Sequence, residues 1–300
     1  MQKIKLVYWH TNIDNYGDLL SPYIVQKLSG FSIVHKNYYV GNWKSHLYNW
    51  LKEIITFNAN LDCDYLFPFE NNVVGVGSIL FSGNKKSHIW GAGFMSQNQR
   101  CKYGTVHAVR GYLSFKIITQ QISEGYPIRL ADKVAIGDPG LLLPLLISPS
   151  DKRTGVGIIP HFSETEYFKA EYGDKYKIVD LRNNDVEAVT KEITSCEYIL
   201  STSLHGLIIA HAYGIPALWM EYTGLEKDTN GFKFYDYFSS VGIEGYQPIR
   251  NLEKVLKDDT TINKLFYMRK ENSLPSIELD NIRTELLSVA PFPIKDLISK

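Results

Sequence analysis

Ser201-Thr202-Ser203-Leu204-His205-Gly206 has the residue types of a junction between a strand and a helix. The first amides of a helix lack intrahelical partners, and together with the helix dipole they make a ready site for an anion. Ser203, Leu204 and Gly206 bring main chain to that spot, and His205 brings a group able to move a proton. The dipole lowers the proton affinity of the imidazole, whereas a bound phosphate raises it, so His205 reads equally as a general acid or a general base. Three further candidates stand at other strand ends. Arg110 follows the apolar run Val106–Val109, and a guanidinium there can pair with a carboxylate or a phosphate. His161 follows Ile158-Ile159-Pro160, and Lys233 sits in Gly231-Phe232-Lys233-Phe234. Taken alone, Arg110 and Lys233 fit exposed surface residues just as well.

Near the start, His10 to Asp18 is a polar turn running into a helical pattern. Asn15 or Asp18 can cap that helix, and Gly17 can allow a ligand to approach closely. Simple turn chemistry accounts for the same residues. Ser78, in Gly75-Val76-Gly77-Ser78, and Gly91, in Gly91-Ala92-Gly93, also end apolar runs and are assigned to the same cleft. The second glycine pair is only a loose dinucleotide fingerprint, since it follows several strands and no acid stands about 20 residues later. There is no GxxxxGK[ST] loop. Asp62-Cys63-Asp64 matches a metal-binding DxD by letters only, and Asp138 before Pro139 suits a turn. His211 lies six residues after His205, about 600° around a helix, so the two cannot share a metal and His211 is assigned to packing. No metal is expected.

Residues at strand ends act together only if the strands end in one place. Ile4–Trp9, Phe31–His35, Val73–Val76, His88–Trp90, Val106–Val109 and Val134–Ile136 are short apolar runs, with a helix predicted from Gly17 to Leu28. Runs buried on both faces suit a parallel sheet, whose ligands bind beyond the carboxyl ends of its strands. Ile147 to Arg153 is polar, contains Pro149 and reads as a linker. A second series follows: Gly155–Ile159, Lys177–Val179, a helix Asp185–Ser195, Tyr198–Leu200, a helix Leu204–Tyr213, and Ala217–Met220. The expected fold is α/β, with two Rossmann-like domains, 1–148 and 149–300, whose parallel sheets face a cleft. Beyond about residue 250 the chain reads as charged helices broken by Pro275, Pro291 and Pro293, and it is expected to pack back on the first half.

Composition fits this picture. The chain has 300 residues, and its 32 basic and 32 acidic residues leave no net charge, which argues against nucleic-acid binding by bulk electrostatics. Hydrophobic residues at 44% and charged residues at 21% describe a globular protein. Its 20 tyrosines suit sugar faces and half-buried strands alike. Cys63, Cys101 and Cys196 lack any zinc spacing and read as reduced thiols of a cytoplasmic protein. The apolar run after Lys5 is far shorter than the roughly 7–15 residues of a signal-peptide core. Tyr198–Met220 is uncharged but carries Gly206, His205, His211, Gly214 and Pro216, which excludes a membrane span.

In order, Asn15-Tyr16-Gly17-Asp18, Gly77-Ser78-Ile79-Leu80, Trp90-Gly91-Ala92-Gly93, Arg110-Gly111, Gly137-Asp138-Pro139-Gly140, Ile159-Pro160-His161, Ser201–Gly206 and Phe232–Tyr237 resemble the polysaccharide pyruvyl transferase family, from about residue 8 to 240. The resemblance implies a glycosyltransferase-B-like pair of domains, the first facing the acceptor and the second the donor. It implies transfer of pyruvate from phosphoenolpyruvate to a sugar, a galactose-type residue of a polysaccharide precursor, as a cyclic ketal, with no further cofactor. On it, His205 and Arg110 are the catalytic residues, with His205 the acid/base group that also touches the donor. Arg110, Lys233, His161 and the main chain of Ser203, Leu204 and Gly206 hold the donor, and Asn15, Gly17, Asp18, Ser78 and Gly91 shape the acceptor side. A lipid-linked acceptor would bring the protein to the inner face of the membrane. The rival readings are a nucleotide-sugar glycosyltransferase of the same architecture and a non-catalytic carbohydrate-binding subunit.

Overall fold

A computed structural model describes residues 2–10, 15–37, 48, 51, 55, 66, 69–223 and 229–295. The short apolar runs form two parallel sheets. In the first, β1 (Lys3–Val7), β2 (Ser32–Lys36), β3 (Asn72–Val74), β4 (Ser87–Trp90), β5 (Gly104–Val109) and β6 (Ile128–Ile136) lie in the order β2-β1-β3-β4-β5-β6. The second contains β7 (Val156–Ile159), β8 (Lys177–Ile178), β9 (Tyr198–Ser201) and β10 (Ala217–Trp219) in the order β10-β9-β7-β8. In each sheet the order reverses once, between β1 and β3 and between β7 and β9, and the loops leaving such a point diverge to open a crevice.

The strand positions follow the sequence expectation with one substantial change. β6 begins at Ile128 rather than Val134. It pairs on one side only, with β5, and an edge strand can carry Arg129, Asp132 and Lys133 outward, which hid its first half among polar residues.

Helix α1 (Tyr16–Ser29) starts where Asn15, in extended backbone, accepts a hydrogen bond from the Gly17 amide, and it stops at Gly30 with φ +72°. Its inner face, Tyr16, Leu20, Ile24 and Leu28, is fully buried. Helix α2 (Tyr112–Ser123) connects β5 to β6, α3 (Thr165–Tyr172) connects β7 to β8, and α4 (Val186–Thr194) connects β8 to β9. Helix α5 (Leu204–Ala212) follows β9 and is apolar on every side, because it packs between its own sheet and the 3-10 segment Pro139–Leu145 of the first half. After β10 come α6 (Phe232–Val241), α7 (Leu252–Val255), α8 (Asp259–Met268), α9 (Lys270–Ser273) and α10 (Leu279–Ser288).

One apolar cluster runs from Leu6 and Tyr16 through Leu141–Leu143 and Ile158–Ile159 to Phe234 and Leu286, so the core continues across both sheets. Polar ties follow it. The Tyr16 amide donates to the Leu181 carbonyl at 2.7 Å, and its hydroxyl meets Thr190 Oγ1 at 2.8 Å. Helix α10 returns to the first sheet, where Trp90 Nε1 donates to the Leu286 carbonyl at 2.9 Å. Arg283, on the same helix, joins the carbonyls of Leu141 and Ala212.

A further tie is ionic. Arg110 at the end of β5 is 1% exposed and Asp236 on α6 is 0% exposed. Asp236 Oδ2 accepts from Arg110 Nε at 3.0 Å and lies 2.9 Å from Nη2. The same carboxylate caps α2, which has no side-chain cap of its own, by accepting from the Ser114 amide and hydroxyl, both at 2.7 Å. A Cβ on Gly111 would overlap Asp236, and one on Gly93 would overlap the Arg110 guanidinium, so glycine is required at both places. Removing one partner of such a pair leaves a buried charge uncompensated. Asp236→Ala should therefore lower stability by about 3–5 kcal/mol in urea unfolding, and a loss under about 1 kcal/mol would show that the pair is not what joins the halves.

Candidate active site

The carboxyl ends of both sheets converge on a cavity of about 320 Å³. Trp9, Asn15 and Asp18 reach it from the segment after β1, and Ser78, Ile79 and Phe81 from the loop after β3. Met95 and Gln99 follow β4, His161 and Phe162 follow β7, Ser203, Leu204 and His205 follow β9, and Lys233 stands in the first turn of α6. Eight of the residues expected from the sequence thus meet in one place: Asn15, Asp18, Ser78, His161, Ser203, Leu204, His205 and Lys233.

Hydrogen bonds fix the turn between β9 and α5. Ser201 Oγ accepts from the Ser203 amide at 3.0 Å and lies against Gly206, where a Cβ would overlap it. Thr202 Oγ1 accepts from the His161 amide at 2.7 Å and donates to Glu164 Oε2 at 2.5 Å, which ties the loops after β7 and β9 together. Ser203 occupies the N-cap position but its hydroxyl makes no capping bond. The first-turn amides of α5 are left to a ligand, and the dipole behind them favours a negative one.

The His205 ring bridges the two halves. Its Nδ1 lies against Gly17 in the first turn of α1, so closely that a Cβ on Gly17 would overlap it. Gly17 is thus needed for the approach of His205 and does not itself line the cavity. His205 Nε2 is shut from solvent and finds no hydrogen-bond partner among the described residues. Burial, with the positive charges of Arg110 and Lys233 nearby, pushes its pKa down to about 3, so the imidazole is neutral. Asp18 moves the other way: burial raises its pKa to about 7, opposed only by the 2.9 Å hydrogen bond from Asn15 Nδ2.

Arg110 does not line the cavity. Apart from Asp236, it donates through Nη2 to the Phe94 carbonyl at 2.6 Å and through Nη1 to Ser78 Oγ at 2.7 Å. Its reach into the site goes through Ser78, whose oxygen it occupies so that the hydroxyl proton is left to donate elsewhere. Gly91 and Gly206 are also absent from the lining; Gly91 has φ +87° and lies against the Pro139 ring. Asp138 is more than a surface turn residue: it is fully buried, caps the 3-10 segment through Gly140, and has its pKa raised to about 6 by burial. His211 packs in the core, with Nδ1 3.0 Å from the Tyr237 hydroxyl.

Trp9, Ile79, Phe81, Met95, Gln99 and Phe162 complete the lining without having been expected there. Their shared signal is position just beyond a strand end, but their residue types match core packing equally well. Among the described residues no three or more His, Cys, Asp or Glu side chains gather as metal ligands, and Asp62-Cys63-Asp64 lies outside those residues. Among the same residues, Cys101 and Cys196 are free and buried, and no helix is long and apolar enough to cross a membrane.

Residues 15–224 match the family model for polysaccharide pyruvyl transferase. The span runs from the cap of α1 to just beyond β10, so it includes every residue of the cavity except Trp9 and Lys233. The chain is also 31% identical over 226 residues to "Uncharacterized protein L143" of Acanthamoeba polyphaga mimivirus, an alignment covering 71% of this chain and 74% of that protein.

If Gly17 exists to admit His205, then Gly17→Ala should leave a folded protein, destabilised by about 1–3 kcal/mol through overpacking. Its affinity for inorganic phosphate, read by thermal shift, should fall about tenfold or more as the imidazole is displaced, the loss of one hydrogen bond to a charged group being about 1.5–3 kcal/mol. Unchanged phosphate affinity would separate Gly17 and His205 from the anion site.

Proposed function

The chain belongs to the polysaccharide pyruvyl transferase family, and we propose that it transfers pyruvate from phosphoenolpyruvate to a pair of hydroxyls on a galactose-type sugar, releasing phosphate. The observation that carries this reading is the meeting, in one cavity, of the start of α5, whose N-cap side chain makes no capping bond, the ring of His205 and the side chain of Lys233. Phosphoenolpyruvate presents two anionic groups, and these three features suit them. The paired sheets are read as a glycosyltransferase-B-like arrangement, with the donor on the second sheet and the sugar against the loops after β1 and β3. Trp9, 54% exposed, offers an aromatic face on that side, and Phe81 lines the same side.

The chemistry sets what the site must supply. One hydroxyl oxygen bonds to C2 of the donor while C3 takes a proton and becomes a methyl group. The second hydroxyl oxygen then bonds to C2, and the C2–O bond to phosphate breaks with its electron pair on the phosphate. A neutral His205 fits both steps, as base toward the first hydroxyl and then, as imidazolium, as acid toward the departing phosphate. A phosphate bound beside it raises its proton affinity, which is the change the second step requires. Ser78, held through its oxygen by Arg110, is a directed donor for the same anionic groups. A lipid-linked acceptor would draw the protein to a membrane face.

A nucleotide-sugar donor would need more room than phosphoenolpyruvate beside the same acceptor, and about 320 Å³ is at the small end of the roughly 300–1,000 Å³ usual for ligand sites. Thermal-shift titration separates the two. Phosphoenolpyruvate should stabilise the protein where UDP- and GDP-sugars do not, and the reverse would overturn the proposal. Lys233→Ala should weaken phosphoenolpyruvate binding by about 1.5–3 kcal/mol. His205→Gln should cut turnover about 10²–10⁴-fold with the fold intact, and near-full turnover would remove His205 from the chemistry.

A further inference from the structure

We propose that Asp18, in the cavity wall on the first turn of α1, is the catalytic acid that delivers the proton to C3 of the donor. This rests on the pyruvyl-transfer reading above. Asp18 lines the cavity from the first turn of α1, on the helix turn whose Gly17 receives the His205 ring, so the two groups approach one ligand from opposite halves. Among the described residues the only partner of its side chain is Asn15, which donates to Oδ2 at 2.9 Å and holds the carboxyl in one orientation. The other oxygen has no hydrogen-bond partner among the described residues.

The Asn15 hydrogen bond and the first-turn position on α1 favour the anion, and burial outweighs them. No Lys or Arg lies within ion-pair distance of the Asp18 carboxyl among the described residues. The titratable groups sharing the cavity are His205, His161 and Lys233. On α4, packed along α1, Glu187 is taken up farther along by Tyr23 and Lys27, and on the 3-10 segment Asp138 is engaged with Gly140. Burial without a cation is the condition that keeps a carboxyl protonated, and it raises Asp18 to about 7. The same cavity holds His205 neutral. Two groups pushed apart in this way divide acid and base work between them.

The proton count closes on this assignment. In the first step Asp18 gives its proton to C3 while the first hydroxyl oxygen bonds to C2, and His205 takes that hydroxyl's proton. In the second step the imidazolium returns its proton to the departing phosphate. The second hydroxyl bonds to C2 and gives its proton to the Asp18 carboxylate. Both residues end as they began, and the products are the ketal and hydrogen phosphate.

Asp18→Asn keeps the size and the Asn15 contact but has no acid proton. It should bind phosphoenolpyruvate within about threefold of wild type, because the groups assigned to the donor's anions stand on α5 and α6 and not on α1, yet lose about 10²–10⁴ in turnover. Asp18→Glu should recover part of the rate. Wild-type turnover should fall as pH rises past about 7, the value to which burial brings Asp18. Turnover within tenfold of wild type in Asp18→Asn, or a rate flat from about pH 6 to 8.5, would overturn the assignment. A second measurement needs no substrate. Because the folded value lies above the ordinary 3.8 of an aspartate, wild type loses stability as pH rises from about 4 to 7, so the melting temperature of Asp18→Asn minus that of wild type should widen over that window and then level. A constant difference would refute the protonated carboxyl even if no acceptor supports turnover. An absence of turnover with every acceptor, with the widening present, would instead count against pyruvyl transfer alone.

Discussion

The buried contact between Arg110 and Asp236 is the constraint on which the site depends. A buried ion pair adds little stability over a well-packed apolar pair, but it tolerates only one geometry. Here it sets three things at once. It fixes the start of α2 through Ser114, it orients Ser78 at the cavity edge, and it holds α6 so that Lys233, three residues before Asp236, stands in the cavity wall. The residues it joins are 126 positions apart, one in each half of the chain.

A second contact completes the cavity from the other side. The Tyr16–Leu181 and Tyr16–Thr190 hydrogen bonds anchor α1 to the second half, and the bare face of Gly17 receives His205. The ring is thus packed against backbone, and among the described residues no carboxylate is hydrogen-bonded to it. Enclosure then acts on the two facing groups with opposite sign: it keeps a histidine neutral and a carboxyl protonated. Burial is the largest cause of both shifts, with Arg110 and Lys233 adding to that of His205 and Asn15 opposing that of Asp18.

Much of this was legible in the residues. Parallel strands announce themselves as short apolar runs because both of their faces are covered, and the rule that ligands gather beyond their carboxyl ends located Asn15, Asp18, Ser78, His161, Ser203, Leu204, His205 and Lys233. What was not legible depends on distant partners. Arg110 looks like a free strand-end cation because the carboxylate that claims it lies on α6, and Gly17 looks like a ligand contact because the side chain that fills its space comes from α5. Gly91 reads as a cleft residue, although its left-handed backbone and the Pro139 ring account for it. The first half of β6 escaped notice because an edge strand is free to be polar on its outer side. Phe81, Met95 and Phe162 carry no mark that separates a cavity wall from a core.

The central claim is that this cavity converts the enol carbon of phosphoenolpyruvate into a ketal carbon on a sugar. Carbon NMR of donor labelled at C2, incubated with the protein and a panel of β-galactosides, reads that carbon directly. The account predicts that the label leaves the unsaturated enol-phosphate signal and appears as a saturated ketal carbon attached to two sugar oxygens, in step with phosphate release and absent in His205→Gln. A label that stays in the donor with every sugar, or emerges as free pyruvate whether or not a sugar is present, would contradict it.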